Sequence, residues 1–567
     1  MAKKLAITIA GAVSLGSYES GVAFEVLDAL AQHNQWAVEN DLPDERIEID
    51  VLTGASAGGM TVSMIAQRLL FDGLAMADPY DNPLYNAWVQ EIDITKLLAR
   101  GSDEPATHSV FSSNCVIAIS QKYLTGRYAN SPVAPAVPHA ALPLDGSLQL
   151  GLAISNLNGV DYLRPTRSGG SFVYTDHQDQ LLVPMDVNSS DRLDLWETIR
   201  ATAVACGAFP VAFRVQDLLR NITDYTSPGL DRSLWNGAPS RYFAYTDGGV
   251  FQNEPLGMAK NLVDTLPCGH LGAPQRGYLF VAPKPKKSSE MPYTTDANAD
   301  PDTAFGTANA VYKALAERVA NSVYDQSGFQ DWIVAEQVND RLKKLDDRAD
   351  ELQALYLTGQ LTAAQTIPVS NALLRAFFQE DGAMTPAAIA NQQAAHDQLQ
   401  QQYSAEYAKF GTDLVTADAW IDAVLVLELA AGLHEKEEML IYDFVADPKL
   451  LASNGLSAFE GFFDVAYRKH DYDYGRSVGQ QQLAAYKGQA GSVFENLHWT
   501  PRPIDPIDAN LNDLQMAKVN QQKRQQACSQ ICSALDNMLQ EMKVDAVVRK
   551  MAMTFFVEKQ VKKLLAL

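Results

Sequence analysis

An apolar run, Ile47-Glu-Ile-Asp-Val-Leu-Thr53, passes directly into Gly54-Ala-Ser-Ala-Gly58 and then into a second apolar stretch from Met60 to Phe71. The first run reads as a buried strand and the second as a helix, joined by a tight turn of small residues. Strand–turn–helix units of this kind build parallel sheets covered by helices, and few other architectures accommodate them. The same order opens the chain: an apolar run over 5–10, the turn Gly11-Ala-Val-Ser-Leu-Gly16, and a helix from about 20 to 32. Lys3 and Lys4 before that run give it the outline of a short signal peptide, but the turn and helix after it favour a buried strand.

Further strands are predicted at 148–157, 172–174, 241–246 and 277–282, and a helix over 195–206 ending at Gly207. Residues 72–146 are mixed and carry Pro132, Pro135, Pro138 and Pro143, which reads as an irregular insertion. The Lys- and Pro-rich stretch from Lys284 to Pro292 and the polar residues to Pro301 form a boundary. Beyond it strand-like runs become scarce, and helices are predicted at 305–324, 330–358, 386–434 (broken) and 511–565. The expected division is an α/β unit over 1–290, a linker over 291–304 and a mostly α-helical region over 305–567.

Of the 567 residues, 68 are acidic and 45 are Lys or Arg, a net charge of −23 that argues against general binding to nucleic acid. Cys115, Cys206, Cys268, Cys528 and Cys532 are too few for a disulfide scaffold and fit a reducing compartment. Cys528 and Cys532 share a helix face without clustered His, so they read as packing residues. No apolar stretch approaches the ~18 residues that span a bilayer. A cytoplasmic protein, at most peripheral at a membrane, is the expectation.

Three segments carry chemistry. Ser56, on the turn between strand and helix, is pushed out of the sheet with its hydroxyl exposed, and the helix N-terminus behind it favours negative charge. The competing reading is a turn of small residues used only for close packing. Asp247 follows the aromatic strand 241–246, at a strand end where open α/β sheets place their crevice, and Gly248 and Gly249 leave its carboxylate approachable. Alone, Asp-Gly-Gly would be an ordinary turn. A carboxylate within hydrogen-bond reach of a hydroxyl acts as its base directly. The loop from Gly11 to Gly16 can aim main-chain amides at a developing oxyanion. A phosphate loop is disfavoured, since position 13 is valine and no Gly-Lys-Ser/Thr is present at its end. None of the nine histidines lies in a glycine-flanked strand end, although a Ser–His–Asp arrangement with a downstream histidine stays open.

Taken together, the glycine-containing loop, Gly54-x-Ser56-x-Gly58 and Asp247-Gly-Gly-Val-Phe-Gln-Asn-Glu-Pro255 resemble the patatin-like phospholipases over roughly residues 5–285. The spacing of Gly16 and Gly21 and the segment Arg200 to Pro210 are similar too. The resemblance implies a three-layer α/β/α fold with a mainly parallel sheet and a Ser–Asp dyad, with Ser56 as nucleophile and Asp247 as base. Gly11, Ala12 and Val13 fall where the family's oxyanion-loop glycines sit, and Leu15 replaces the usual cation. Ala and Val keep those amides in place provided φ stays negative. The implied activity is hydrolysis of acyl lipids through an acyl-enzyme, with no metal or other cofactor required. A catalytically weak lipid-binding or scaffolding protein on the same fold is the alternative.

In the helical region, His470-Asp-Tyr-Asp-Tyr-Gly-Arg476 loosely resembles a feature of some bacterial patatin-related proteins, and reads more simply as a polar helix end. Residues 543–567 carry six Lys or Arg against Asp545 and Glu558, with apolar residues largely along one face. Packing on neighbouring helices is favoured over contact with an anionic membrane or a partner.

Overall fold

In the computed structural model all residues are described except 1, 106, 131, 167–169, 189–191, 267–274, 284–291, 302–303, 380–381, 434–437, 455–457, 508–510, 512–515 and 542. Cys268, His270, His434 and most of the boundary expected at 284–292 lie outside the described residues.

Eight strands form one sheet: β1 (Lys3–Ile9), β2 (Ile47–Gly54), β3 (Ser147–Pro165), β4 (Ser171–Asp186), β5 (Gln216–Asn221), β6 (Ser240–Asp247), β7 (Arg276–Ala282) and β8 (Ile441–Val445). Their order is β5-β6-β3-β2-β1-β7-β8, with β4 paired to β3 off this path. The centre, β3-β2-β1-β7-β8, is parallel, while β4, β6 and β5 add antiparallel pairs at one side. The apolar opening run is therefore the central strand β1, with Leu5 and Ile9 fully buried.

Helices α1 (Gly16–Glu39), α2 (Ala57–Phe71) and α3 (Leu193–Cys206) pack on the sheet face that carries Leu5, Ile7, Ile9, Leu279 and Val281. The other face lies under α4 (Leu256–Asp264). There Thr53 donates to the Pro255 carbonyl at 3.3 Å, and Gly151 leaves room for Met258 and Leu262. The layers are thus helix, sheet, helix.

The chain divides into two compact units, and not at the boundary expected near 290–305: one comprises Met1–Trp332 with Leu440–Leu567, the other Ile333–Met439. The second unit contains the later part of α5 (Tyr312–Leu357), then α6 (Ala363–Phe378), α7 (Pro386–Gln402) and α8 (Leu414–Ala431). Its own core gathers Ala349, Leu374, Leu399, Trp420, Ile421 and Val424. Helices expected separately at 305–324 and 330–358 are one continuous α5. Helix α6 escaped prediction, although Thr362 and Gln365 form a capping box at its start.

The C-terminal stretch of the first unit supplies β8, α9 (Val465–Tyr486) and α10 (Gln521–Glu541). Helix α9 contains the His470–Arg476 segment, and it is core, not a polar helix end. A Cβ on Gly21 of α1 would stand 2.1 Å from the Tyr472 carbonyl oxygen, and one on Gly475 would stand 2.1 Å from that of Tyr18. Glycine at the crossing lets the two helices touch backbone to backbone. Beside it, Arg476 Nε donates to Glu25 Oε1 at 2.7 Å, with both side chains fully buried. The segment expected as a single basic helix is broken into Ala546–Ala552, Met553–Val557 and Glu558–Leu564. Val561 and Leu565 join the main core, Arg549 pairs with Asp536 at 3.2 Å, and Arg524 donates to the Leu565 carbonyl.

A buried charge left without its partner costs about 3–5 kcal/mol, whereas replacing a whole pair by apolar groups is close to neutral. Arg476→Met should therefore lower unfolding stability by about that amount. The double variant Glu25→Leu/Arg476→Met should recover most of it. Denaturant melts of the full chain at neutral pH measure both.

Candidate active site

The turn that carries Ser56 is set by the register of the sheet. β2 ends at Gly54, which pairs with Leu152 of β3. Two residues on, Ser56 caps α2 with φ 51° and ψ −126°, a backbone conformation that non-glycine residues rarely adopt. Gly54 and Gly58 make the turn possible, since a Cβ on Gly54 would sit 2.6 Å from the Gly58 carbonyl. Ser56 is 6% exposed.

Asp247 reaches the same place from the opposite direction. The strand carrying it, β6, runs antiparallel to β3, so the usual rule for the carboxyl ends of parallel strands does not account for its position. β3 is 19 residues long and overhangs the end of β2. β6 pairs with that overhang and ends with Asp247 opposite Ile154, two rows beyond Leu152. Ser56 Oγ consequently donates to Asp247 Oδ2 at 2.6 Å, across 191 positions of chain. The other carboxylate oxygen accepts the Gly249 amide at 2.7 Å. The Asp247 amide donates to the Ala208 carbonyl at 3.0 Å, and Ser155 Oγ donates to the Asp247 carbonyl at 2.7 Å. Gly248 lies hard against the Ala153 carbonyl of β3.

Burial moves the Asp247 carboxyl from its ordinary 3.8 up to about 7, opposed by the hydrogen bonds from Ser56 and Gly249. A carboxylate balanced near neutrality is suited to taking up a proton and releasing it again. Among the described residues no histidine is bonded to either side chain. His177 Nδ1 lies 2.7 Å from the Asn156 carbonyl, and its ring stacks on Phe251.

The loop after β1 departs from expectation in two respects. The Gly11 amide donates to the Asn253 carbonyl at 3.0 Å, so it holds the loop and does not face an oxyanion. Val13 has φ 54°, contrary to the negative φ that a valine should keep there. Ala12 has φ −142° and Leu15 is fully buried. Among the described residues the backbone offers no acceptor to the amides of Ala12 and Val13. Gly16 begins α1 against the ring of Trp88.

Asn253 is the residue that sequence reasoning passed over. Its side-chain oxygen would lie 2.1 Å from a Cβ on Gly11 and 2.6 Å from one on Gly249. Two glycines from two distant motifs thus make room for one side chain, which wedges the loop after β1 against the turn after Asp247. Asn253 stood within the stretch Asp247–Pro255 but had no chemistry of its own to single it out.

A raised carboxyl pKa has a consequence for stability. Between pH ~4 and ~7 the folded state keeps a proton on Asp247 that the unfolded chain has released, so this contribution is complete below pH ~4 and disappears as pH rises through ~7. Asp247→Asn should therefore melt at a higher temperature than the wild type at pH 8, with the gap narrowing toward pH 5. Thermal melts of both proteins across that range test it.

Residues 7–260 match the family model described as patatin-like phospholipase. An uncharacterized protein of Sinorhizobium fredii, y4iI, is 22% identical over 324 residues. The match covers 45% of this chain and 44% of that relative, so the chain spans under half of the relative's length. The fold and the order of the motifs agree with that match: residues 7–260 are similar to the patatin-like phospholipases.

Proposed function

We propose that this chain hydrolyses carboxylic esters of phospholipids, lysophospholipids or related acyl lipids, with Ser56 as nucleophile and Asp247 as its base. The observation that carries this reading is the 2.6 Å hydrogen bond from Ser56 Oγ to Asp247 Oδ2. As Ser56 attacks the ester carbonyl, its proton passes to Asp247. The carbonyl oxygen takes up negative charge beside the amides of Ala12 and Val13 and the N-terminus of α2. Asp247 returns the proton to the departing alcohol or lysolipid, leaving the acyl group on Ser56. Water, deprotonated by Asp247, then attacks the acyl-enzyme, the fatty acid is released and Ser56 regains its proton. Asn253 acts as a positioning residue that holds the loop to the base turn.

A strained valine and a buried leucine at positions 13 and 15 favour a second reading, in which the site binds acyl lipids and turns them over weakly. A fluorophosphonate probe separates the two. It should label the wild type and fail on Ser56→Ala. Absence of labelling on the wild type would sink the hydrolase reading. With active enzyme, kcat/KM for a soluble ester should rise through a single ionisation near pH 7, because only the carboxylate form of Asp247 accepts the proton. Asn253→Ala should lower kcat by about tenfold, since loss of aim at a developing charge costs more than loss of ordinary binding. Steady-state kinetics would contradict that role if KM alone changed.

A further inference from the structure

The Ser56–Asp247 pair is bordered on two sides by main-chain carbonyls that anchor the segments beside it. On the base side, the Ala208 carbonyl accepts the Asp247 amide at 3.0 Å and Thr246 Oγ1 at 2.8 Å. On the loop side, Ser14, the neighbour of Val13, donates its hydroxyl to the Ala458 carbonyl. The residue after each anchor is a phenylalanine, and the rings of Phe209 and Phe459 meet edge to face with centroids 5.4 Å apart. Phe111 stands 5.8 Å from Phe459 and 5.9 Å from Phe213. The segments that carry these rings are laced together, the amides of Val110 and Phe111 donating to the carbonyls of Val211 and Ala212 at 2.9 and 2.8 Å. Phe209, Phe213 and Phe459 are half-buried, and Val211 beside them is exposed with φ 69°.

Helix α9 fixes this arrangement. Asp471 accepts the amides of Ala452 and Ser453 at 2.7 and 3.0 Å. Arg468 donates to the carbonyls of Gly461 and Val89 at 2.7 and 2.9 Å. The segment that carries Phe459 lies outside the patatin-like match and is held in part by Asp471 and Arg468, which lie outside it too, and its ring meets that of Phe209 inside the match.

We propose that Phe459, together with Phe209, forms the wall along which the acyl chain of the substrate lies, so that a C-terminal residue sets chain-length selectivity. This rests on the hydrolase reading. An acyl group attached to Ser56 begins between the two anchors, and the aromatic pair is the apolar surface that bridges them. An apolar wall discriminates chains by the methylenes it covers, and one or two methylenes are worth about tenfold or more. A short acyl group ends before reaching the rings and gains nothing from them.

The test uses the full chain with p-nitrophenyl butyrate and, in detergent micelles, p-nitrophenyl palmitate. Phe459→Ala should reduce kcat/KM for palmitate by about tenfold while leaving butyrate within about twofold. Phe209→Ala should act in the same direction. Phe459→Leu, which keeps an apolar side chain and the fold, should fall between wild type and alanine. Labelling of Ser56 by the fluorophosphonate should stay at the wild-type rate in all three. An unchanged palmitate-to-butyrate ratio in Phe459→Ala and Phe459→Leu, or an equal loss on both esters, would overturn the wall and leave the hydrolase reading standing. No turnover of either ester and no labelling of the wild type would overturn both.

Discussion

The site depends on one hydrogen bond made where little surface is open to water. A carboxylate that is 1% exposed is costly to ionise, and among the described residues the hydroxyl of Ser56 and the amide of Gly249 offset that cost. More donors would hold the charge so firmly that the group could not accept a proton. Fewer would leave it protonated at neutral pH, with nothing to offer the serine. The two donors are delivered by different parts of the chain, one by the strained turn before α2 and one by the turn after β6. Their meeting depends on the overhang of β3, which lets an antiparallel strand end where a parallel strand ends.

Backbone strain accompanies that geometry on both sides of the crevice. Ser56 and Val13 each occupy positive φ, and such residues cost on the order of 1–3 kcal/mol when they are not glycine. For Ser56 the reason is local, because the closure of Gly54 on Gly58 forces the residue between them outward. Val13 has a glycine's backbone without a glycine's freedom, and its branched Cβ makes that conformation unusually unfavourable. The loop is tied down around it. Gly11 is bonded to Asn253, Leu15 to the Ala12 carbonyl, and Ser14 to Ala458. A loop of glycines would adopt this shape without that strain. Here the shape is imposed by contacts, two of which come from far along the chain.

How much could be read from the amino-acid order depends on the range of the forces involved. The strands at 3–9, 47–54, 240–247 and 276–282 are apolar or aromatic runs bounded by turn residues, and α2 starts directly from its turn, so local pattern placed them. Ser56 and Asp247 each stood on a recognisable turn, and it was the resemblance of the combined motifs to a known family that implied their pairing. The orientation of β6 was not legible, since a strand sequence does not record the direction of its neighbour. Asn253 was invisible because its role is steric and depends on two glycines being brought together. β8 is five residues of alternating pattern among helices, and α9 is so polar that its burial could not be inferred. Arg476 and Asp473 read as part of a polar helix end. They are buried because Glu25, Tyr80 and Lys469 meet them there.

The same long-range contacts explain why the first compact unit is discontinuous. The family match ends at residue 260, before β7, yet the sheet continues through β7 to β8 at 441–445. β7 is buried along its whole length, which a strand at an open edge would not be. β8 covers that edge. α9 covers α1 where Gly21 and Glu25 face it, so a carboxylate in the domain's own first helix has its cation in a segment 451 positions later. Ala458 secures the strained loop from the same region. A boundary drawn by composition separates an α/β half from a helical half. The hydrogen bonds and ion pairs instead assign β8, α9 and Ala458 to the unit that contains Ser56 and Asp247, which is the physical reason Phe459 meets Phe209 across 250 positions of chain.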